Sequence, residues 1–344
     1  MKVGLVGAGH IAEESHLPVY QKNTNVELTA ICDQRLPAAT KLAGKFGAQK
    51  VYQDQTSMLS KEKLDVVDIC TPPATHKDLA VEAMNAGCHV ICEKPMAMSI
   101  ADTEEMIEAS KRNNVRLCIV HQNLCNAAVL KAKEIVDSGA IGDVLSVNVH
   151  TFEMRNSDAM RDKDHWSHRL PGGIFFEIIP HPVYLLLSFL KGGEVRDVLS
   201  KKIGDAAWVP KDELKVLFEN GRAVGEVSVT CNSFMHGDTF EIVGTKTALS
   251  GDLWGRTVIV YKPHGLDAKS VGMSNIALSR QLFSVVGSTA STLVKAIRDP
   301  ITVSAHYTFI SKFIEGIQNN SELPTSGEDG RDTVKAVHTI CSQI

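Results

Sequence analysis

The chain has 344 residues, which at about 150 per domain suggests two domains, each long enough to bury a core without a disulfide or metal staple. Hydrophobic residues make up 44% and charged residues 22%, which excludes a chain too polar to fold. The net charge is −4 and no long Lys/Arg block occurs, which excludes a dedicated nucleic-acid binder, because such proteins draw their affinity from neutralising phosphates.

The first 120 residues alternate apolar runs with helical patterns. Residues 2–6, 26–32, 65–70, 88–92 and 115–120 read as buried strands, with helices at 11–22, 36–47, 74–86 and 99–113 between them. Pro37 suits the first turn of its helix and Ser99 suits an N-cap. Strands separated by helices predict βαβ units and a parallel sheet covered on both faces. The chain opens directly into a strand, which leaves no room for a signal peptide. The eight cysteines, at 32, 70, 88, 92, 118, 125, 231 and 341, mostly sit in apolar runs. They read as small buried hydrophobes in a reducing compartment, so the expected location is the cytoplasm and no metal role is assigned.

Gly7-Ala8-Gly9-His10-Ile11-Ala12 follows the first strand and opens a helix. This is G-x-G-x-x-A in the strand–turn–helix setting that the mechanism needs. The glycines let the backbone approach a pyrophosphate, and the helix N-terminus supplies N–H groups and a positive dipole end. Asp33 ends the second strand about 20 residues beyond Ala12, where an acid binds an adenosine ribose. A carboxylate there repels a 2′-phosphate, so NAD is expected; Arg35 beside it keeps NADP as the alternative. Strand 65–70 runs into Thr71-Pro72-Pro73-Ala74-Thr75-His76, a rigid loop at the sheet edge where ligands sit in open α/β folds.

After a helix at 126–139 the pattern changes. Runs at 144–154, 194–203, 213–219, 222–231, 238–243 and 256–262 predict a mostly antiparallel sheet, with Asn220-Gly221 as a hairpin turn. The domain boundary falls at 122/123, giving a dinucleotide-binding domain over 1–122 and a substrate domain over 123–344. The apolar stretch 174–190 carries Glu177, Pro180, His181 and Pro182, which is incompatible with a membrane span. Leu278, Leu282, Val286, Leu293 and Ile297 make a stripe that predicts a helix over 274–298.

The fifth run of the first half, His89-Val90-Ile91-Cys92, continues into Glu93-Lys94-Pro95. Together with the Gly7 loop, the Thr71-Pro72-Pro73 loop with His76, Ala86-Gly87-Cys88, Ser138-Gly139-Ala140-Ile141-Gly142 and Ser326-Gly327-Glu328-Asp329-Gly330, it makes the chain resemble the glucose-fructose oxidoreductase / inositol dehydrogenase / MocA (Gfo/Idh/MocA) family over nearly its whole length. The resemblance implies an N-terminal Rossmann parallel sheet and a C-terminal α/β domain with a large, open, mostly antiparallel sheet. That sheet is the substrate wall and the interface of a homodimer or homotetramer. The resemblance also implies cofactor contacts at Thr71, Pro72, His76, Glu93 and Lys94, and puts Lys94 beside the nicotinamide. Physical reasoning agrees: a lysine ending a strand of a cofactor sheet steadies a developing alkoxide.

The family's Gly-Gly-Gly, three residues, Asp, three residues, His pattern is similar to Pro171-Gly172-Gly173 through Glu177 to His181. Proline replaces the first glycine and glutamate the aspartate, and Glu177 is longer than an aspartate by one methylene. The spacing puts Glu177 and His181 on one helix face. Leu124-Cys125 stands where many members carry Arg-Phe, so a polar substrate contact is either missing or supplied elsewhere; the candidates to supply it are Arg155, Arg161, His165 and Arg169, with Trp166 to cover a sugar ring. The expected reaction is hydride transfer between nicotinamide and a carbinol of a small polyhydroxylated substrate: a sugar, inositol or nucleotide-sugar. His181 would be the base, its ordinary pKa of about 6.5 suiting neutral pH. Lys94 would polarise the oxygen, and Glu177 would hold the imidazole or the substrate. Because Lys94 belongs to the first domain and His181 to the second, chemistry is expected where the two meet. Two alternatives remain: glycoside hydrolysis through transient oxidation by tightly held NAD, and a non-catalytic NAD-binding sensor.

Overall fold

A computed structural model describes residues 1–261 and 297–344, with isolated residues between them. The chain forms two compact units, one of residues 1–125 and 299–335, the other of residues 126–298 and 336–344.

The first unit is built on six parallel strands: β1 (Lys2–Val6), β2 (Glu27–Cys32), β3 (Lys50–Tyr52), β4 (Val66–Ile69), β5 (His89–Cys92) and β6 (Leu117–Ile119). Their order is β3-β2-β1-β4-β5-β6, the doubly wound order that reverses direction between β1 and β4. Period-two alternation of apolar side chains gives the sheet two separate cores. Val3, Leu5, Ile31, Val66 and Ile91 face helices Leu17–Lys22, Leu36–Phe46 and Ala305–Gln318. Val6, Cys32, Val67, Ile69 and Val90 face helices His76–Asn85 and Ile100–Arg112. The local signals act as expected: Pro37 lies in the first turn of its helix, and the Ser99 hydroxyl accepts the Asp102 N–H at 3.1 Å as an N-cap.

The expected boundary placed everything after residue 122 in the second domain. Residues 299–335 instead belong to the first unit. The reason is apolar: Phe309, Ile310, Phe313 and Ile314, one face of helix Ala305–Gln318, are buried in the same core as Leu5 and Ile31.

The second unit holds a seven-stranded sheet of order β13-β12-β11-β7-β10-β9-β8. Its strands are β7 (Val144–Met154), β8 (Glu194–Lys201), β9 (Glu213–Glu219), β10 (Val224–Ser233), β11 (Gly237–Gly244), β12 (Ala248–Asp252) and β13 (Thr257–Tyr261). All neighbours are antiparallel except β7 and β10. The β9–β10 turn sits one residue later than Asn220-Gly221 suggests. The Asn220 N–H donates to the Ala223 carbonyl, Gly221 takes φ +78°, and the Asn220 side chain accepts from the N–H groups of Arg222 and Ala223. Helix Pro180–Phe189 packs on β7 and β10, closely enough that a Cβ on Gly225 would meet Leu186 at 2.9 Å. The expected helix over 274–298 falls largely outside the described residues. Among the described residues, no helix is long and apolar enough to cross a membrane.

Candidate active site

The Gly7–Gly9 loop leaves β1 at the sheet's carboxyl edge, where a helical turn begins at His10. Gly7 takes φ +102°, and a Cβ there would lie 2.6 Å from the Cys70 carbonyl oxygen, so both the conformation and the space require glycine. Around Gly9 the space within 4 Å is open, as a phosphate-binding turn needs. Asp33, just past β2, accepts the Ala8 N–H at 2.8 Å on one carboxylate oxygen and the Arg35 N–H at 2.8 Å on the other. Burial pushes its carboxyl up, but these two N–H groups outweigh it and hold the group below the ordinary range. An ionised carboxylate is therefore fixed beside the glycine loop. His10 is exposed, Ile11 half-buried and Ala12 buried.

Thr71 and Pro72 lie at the surface end of β4, whereas His76 is buried. Its ring nitrogens are 2.7 Å from the Thr71 carbonyl and 3.0 Å from the Pro95 carbonyl, so its side chain ties the loop after β4 to the loop after β5. Burial lowers its pKa. Glu93 and Lys94 directly follow β5, and Lys94 is half-buried, with a cis peptide to Pro95.

In the second unit Gly172 and Gly173 take φ +80° and +62° and lead into helix Ile174–Ile178; a Cβ on Gly172 would meet the Cys341 sulfur at 2.5 Å. Glu177 is the last residue but one of that helix and His181 the second of the next, Pro180–Phe189, with Ile179 as the joint. Both side chains are half-buried. The His181 Nδ1 lies 3.0 Å from the Tyr184 hydroxyl, one turn on. His165, Trp166 and Arg169 share a short helical turn, where the His165 ring caps Ser167 and stands 5.6 Å from the Trp166 ring. Arg155, past the end of β7, stacks over Phe234 at 5.3 Å and approaches the Asp205 carboxylate at 3.6 Å; Arg161 is exposed.

The family model "Oxidoreductase family, NAD-binding Rossmann fold" matches residues 1–121, and "GFO/IDH/MocA C-terminal domain" matches residues 129–250. The chain belongs to the Gfo/Idh/MocA oxidoreductase family. It is 24% identical to the myo-inositol 2-dehydrogenase of Thermotoga maritima over 339 residues, which covers 96% of this chain and 92% of that protein. It is 27% identical to Oxidoreductase P35 of Formosa agariphila over 264 residues, covering 75% and 81%. Among solved structures, it resembles the WlbA dehydrogenase of Bordetella pertussis in complex with NADH and UDP-GlcNAcA. That likeness has a TM-score of 0.80 at 23% identity and covers 100% of this chain and 96% of that one.

The Gfo/Idh/MocA chain is thus an NAD-binding dehydrogenase, and its own residues fit the cofactor: an open glycine turn, a helix start and a fixed carboxylate at Asp33. Sequence reasoning missed two features. Tyr184 was legible only as an apolar helix residue, although its spacing of three from His181 brings a hydroxyl to the imidazole. The second feature is a buried polar cluster. His16 ends a π-helical turn, Ala12–His16, and its Nδ1 is 2.7 Å from an Asp68 oxygen while its Nε2 is 2.9 Å from a Glu93 oxygen. His306 and Cys70 adjoin it. Two groups here are compact enough to surround a cation, His16-Asp68-Cys70 and His16-Glu93-His306. Both depend on His16, whose ring nitrogens are each taken up by a carboxylate, so the cluster reads as a hydrogen-bond network.

Proposed function

We propose that the chain transfers a hydride between NAD and a carbinol of a sugar, inositol or nucleotide-linked sugar. The observation that carries this reading is the position of Lys94, two residues past β5 at the carboxyl edge of the parallel sheet whose β1 ends in the glycine loop. The substrates in the names of the relatives, myo-inositol and UDP-GlcNAcA, support a polyhydroxylated class. NAD, when bound, supplies the carbon that accepts or gives the hydride. His181 takes the hydroxyl proton, with Tyr184 orienting its ring through Nδ1. The Lys94 ammonium steadies negative charge growing on the same oxygen. Glu177 holds the substrate or the imidazole. Trp166 offers an aromatic face to a sugar ring, and Arg155, His165 and Arg169 offer donors to its hydroxyls.

The test is incubation with NAD and a panel of polyols and nucleotide-sugars, following absorbance of the reduced cofactor. Lys94→Ala and His181→Ala are each expected to lose about 10²–10⁴ in kcat/KM. Turnover as fast as wild type in both would overturn the assignment. Sugar release without net NADH would mark a hydrolase, and NAD binding without isotope exchange from any labelled polyol would mark a sensor. We also propose a homodimer or homotetramer formed through the second unit's sheet, supported by Leu199, Leu217 and Val224, large exposed apolar side chains on that sheet. Sedimentation velocity giving only a monomer would overturn this.

A further inference from the structure

The mechanism above makes no use of the polar cluster centred on the buried His16 of the first unit. At its centre, His16 meets two carboxylates, Asp68 at 2.7 Å and Glu93 at 2.9 Å, one on each ring nitrogen. A neutral imidazole carries one N–H, so one of these contacts would set a lone pair against a carboxylate oxygen. His16, Asp68 and Glu93 are all buried, so water cannot relieve such a clash. An imidazolium satisfies both contacts.

The carboxylates accept other donors as well. The same Asp68 oxygen takes the Tyr20 hydroxyl at 2.8 Å, and the other Asp68 oxygen is 3.5 Å from the Cys70 thiol. The second Glu93 oxygen accepts the Lys94 backbone N–H at 3.2 Å. Apart from the His16 ring itself, every partner of the two acids is a donor. Burial opposes the charges, but Asp68 raises His16 well above the ordinary histidine value, and His16 brings Glu93 down to about 2. The other titratable neighbours are Cys92, whose thiol burial pushes up, and His306, whose Nε2 is 3.9 Å from Glu93 and which burial lowers to about 4 and keeps neutral.

The placement gives the cluster a purpose. His16 rides the helix that begins at the glycine loop, Asp68 lies on β4, and Glu93 begins the turn that carries Lys94. Two charge-assisted hydrogen bonds therefore run from the cofactor helix, across the neighbouring strands, to the lysine turn. The π turn Ala12–His16 runs straight into helix Leu17–Lys22, and His16, Leu17, Val19 and Tyr20 are all buried.

We infer that His16 is a positioning residue for hydride transfer: as an imidazolium clamped between Asp68 and Glu93, it fixes the carboxylate that accepts the Lys94 N–H and so sets the placement of Lys94. The inference rests on the role proposed above for Lys94. Three measurements on the full chain test it. With ring-¹⁵N histidine, the resonances absent from His16→Gln are expected to show both nitrogens protonated at about pH 8, well above the ordinary histidine value of about 6.5. A neutral ring there overturns the inference. In His16→Gln, kcat at saturating NAD and substrate is expected to fall by about tenfold to a hundredfold while circular dichroism stays native, because displacing a reacting group by about 1 Å costs on that order. Wild-type kcat in this variant, with Lys94→Ala inactive, overturns the inference and leaves the role of Lys94 standing. Wild-type kcat in Lys94→Ala overturns that role instead. Should His16→Gln fail to fold, the pair His16→Gln/Glu93→Gln replaces two of the three ions by neutral amides and leaves Asp68 with the Tyr20 hydroxyl. It is expected to fold with kcat still reduced, and wild-type kcat in the pair overturns the inference.

Discussion

In the first unit, His16 is fully buried with a carboxylate oxygen within 3 Å of each ring nitrogen, whereas in the second His181 is half-buried with its Nδ1 facing a neutral hydroxyl, that of Tyr184. The side chain is the same, and the surroundings divide the labour. Two carboxylates lock a proton onto the ring and turn histidine into a fixed cation that organises its neighbours. The role proposed for His181 is different: a base takes up and releases a proton in every turnover, and the Tyr184 hydroxyl is placed to orient the ring.

The sharpest way to break this contrast is stability. His16→Ala strands two buried carboxylates and is expected to cost about 3–5 kcal/mol in urea unfolding, against about 1 kcal/mol or less for His181→Ala. Equal losses would erase the distinction. A second effect comes from acid. His306 is held neutral by burial, with a value of about 4 against an ordinary 6.5, so the unfolded chain binds more protons between these values. Stability is therefore expected to fall as pH drops from about 6.5 to about 4, and His306→Gln should flatten that limb. Glu93, depressed from 4.5 to about 2, contributes stability that is present above 4.5 and is lost as pH falls toward 2. His16 acts in the opposite sense: its value is raised, so its contribution is complete below 6.5 and is lost only as pH rises through its folded value. Urea titrations across this range check all three signs. The smallest effect is expected from Tyr184→Phe, which removes one hydrogen bond of about 1 kcal/mol. It should lower kcat by roughly threefold to tenfold with little change in stability, and an unchanged kcat would show that Tyr184 does not orient His181.

Much of the first unit was legible in the sequence because its strands are continuous apolar runs and its glycine loop stands where strand meets helix. The features that escaped had physical reasons. Strand β3 is only Lys50–Tyr52, half-buried at the sheet's edge, too short and polar for periodicity to register. Strand β12 contains Gly251, where a Cβ would collide with the Phe240 ring, so the residue that packing demands is the one that weakens the strand signal. Helix Ala305–Gln318 was a plain amphipathic pattern, and an apolar face does not say which core it joins. In the candidate site, the sequence singles out Lys94 and His181, whose roles are proposed above, because each sits in a compact local motif. The His16 cluster was not legible: Glu93 stood out only as part of the Glu93-Lys94-Pro95 motif, Asp68 and His306 come from distant stretches, and nothing local joins the three to His16.

The return of residues 299–335 to the first unit bears on how the protein is made. A ribosome releases the chain from its N-terminus. All six strands of the parallel sheet exist once residue 119 has emerged, yet Phe309, Ile310, Phe313 and Ile314, which close one of its faces, follow only after residues 126–298 have been synthesised. Until then, the core that Leu5 and Ile31 share with helices Leu17–Lys22 and Leu36–Phe46 lacks these four side chains, and Glu93 lacks His306. The domain begun first is thus among the last to be finished, and a nonsense codon far downstream of the sheet still deprives it of part of its core.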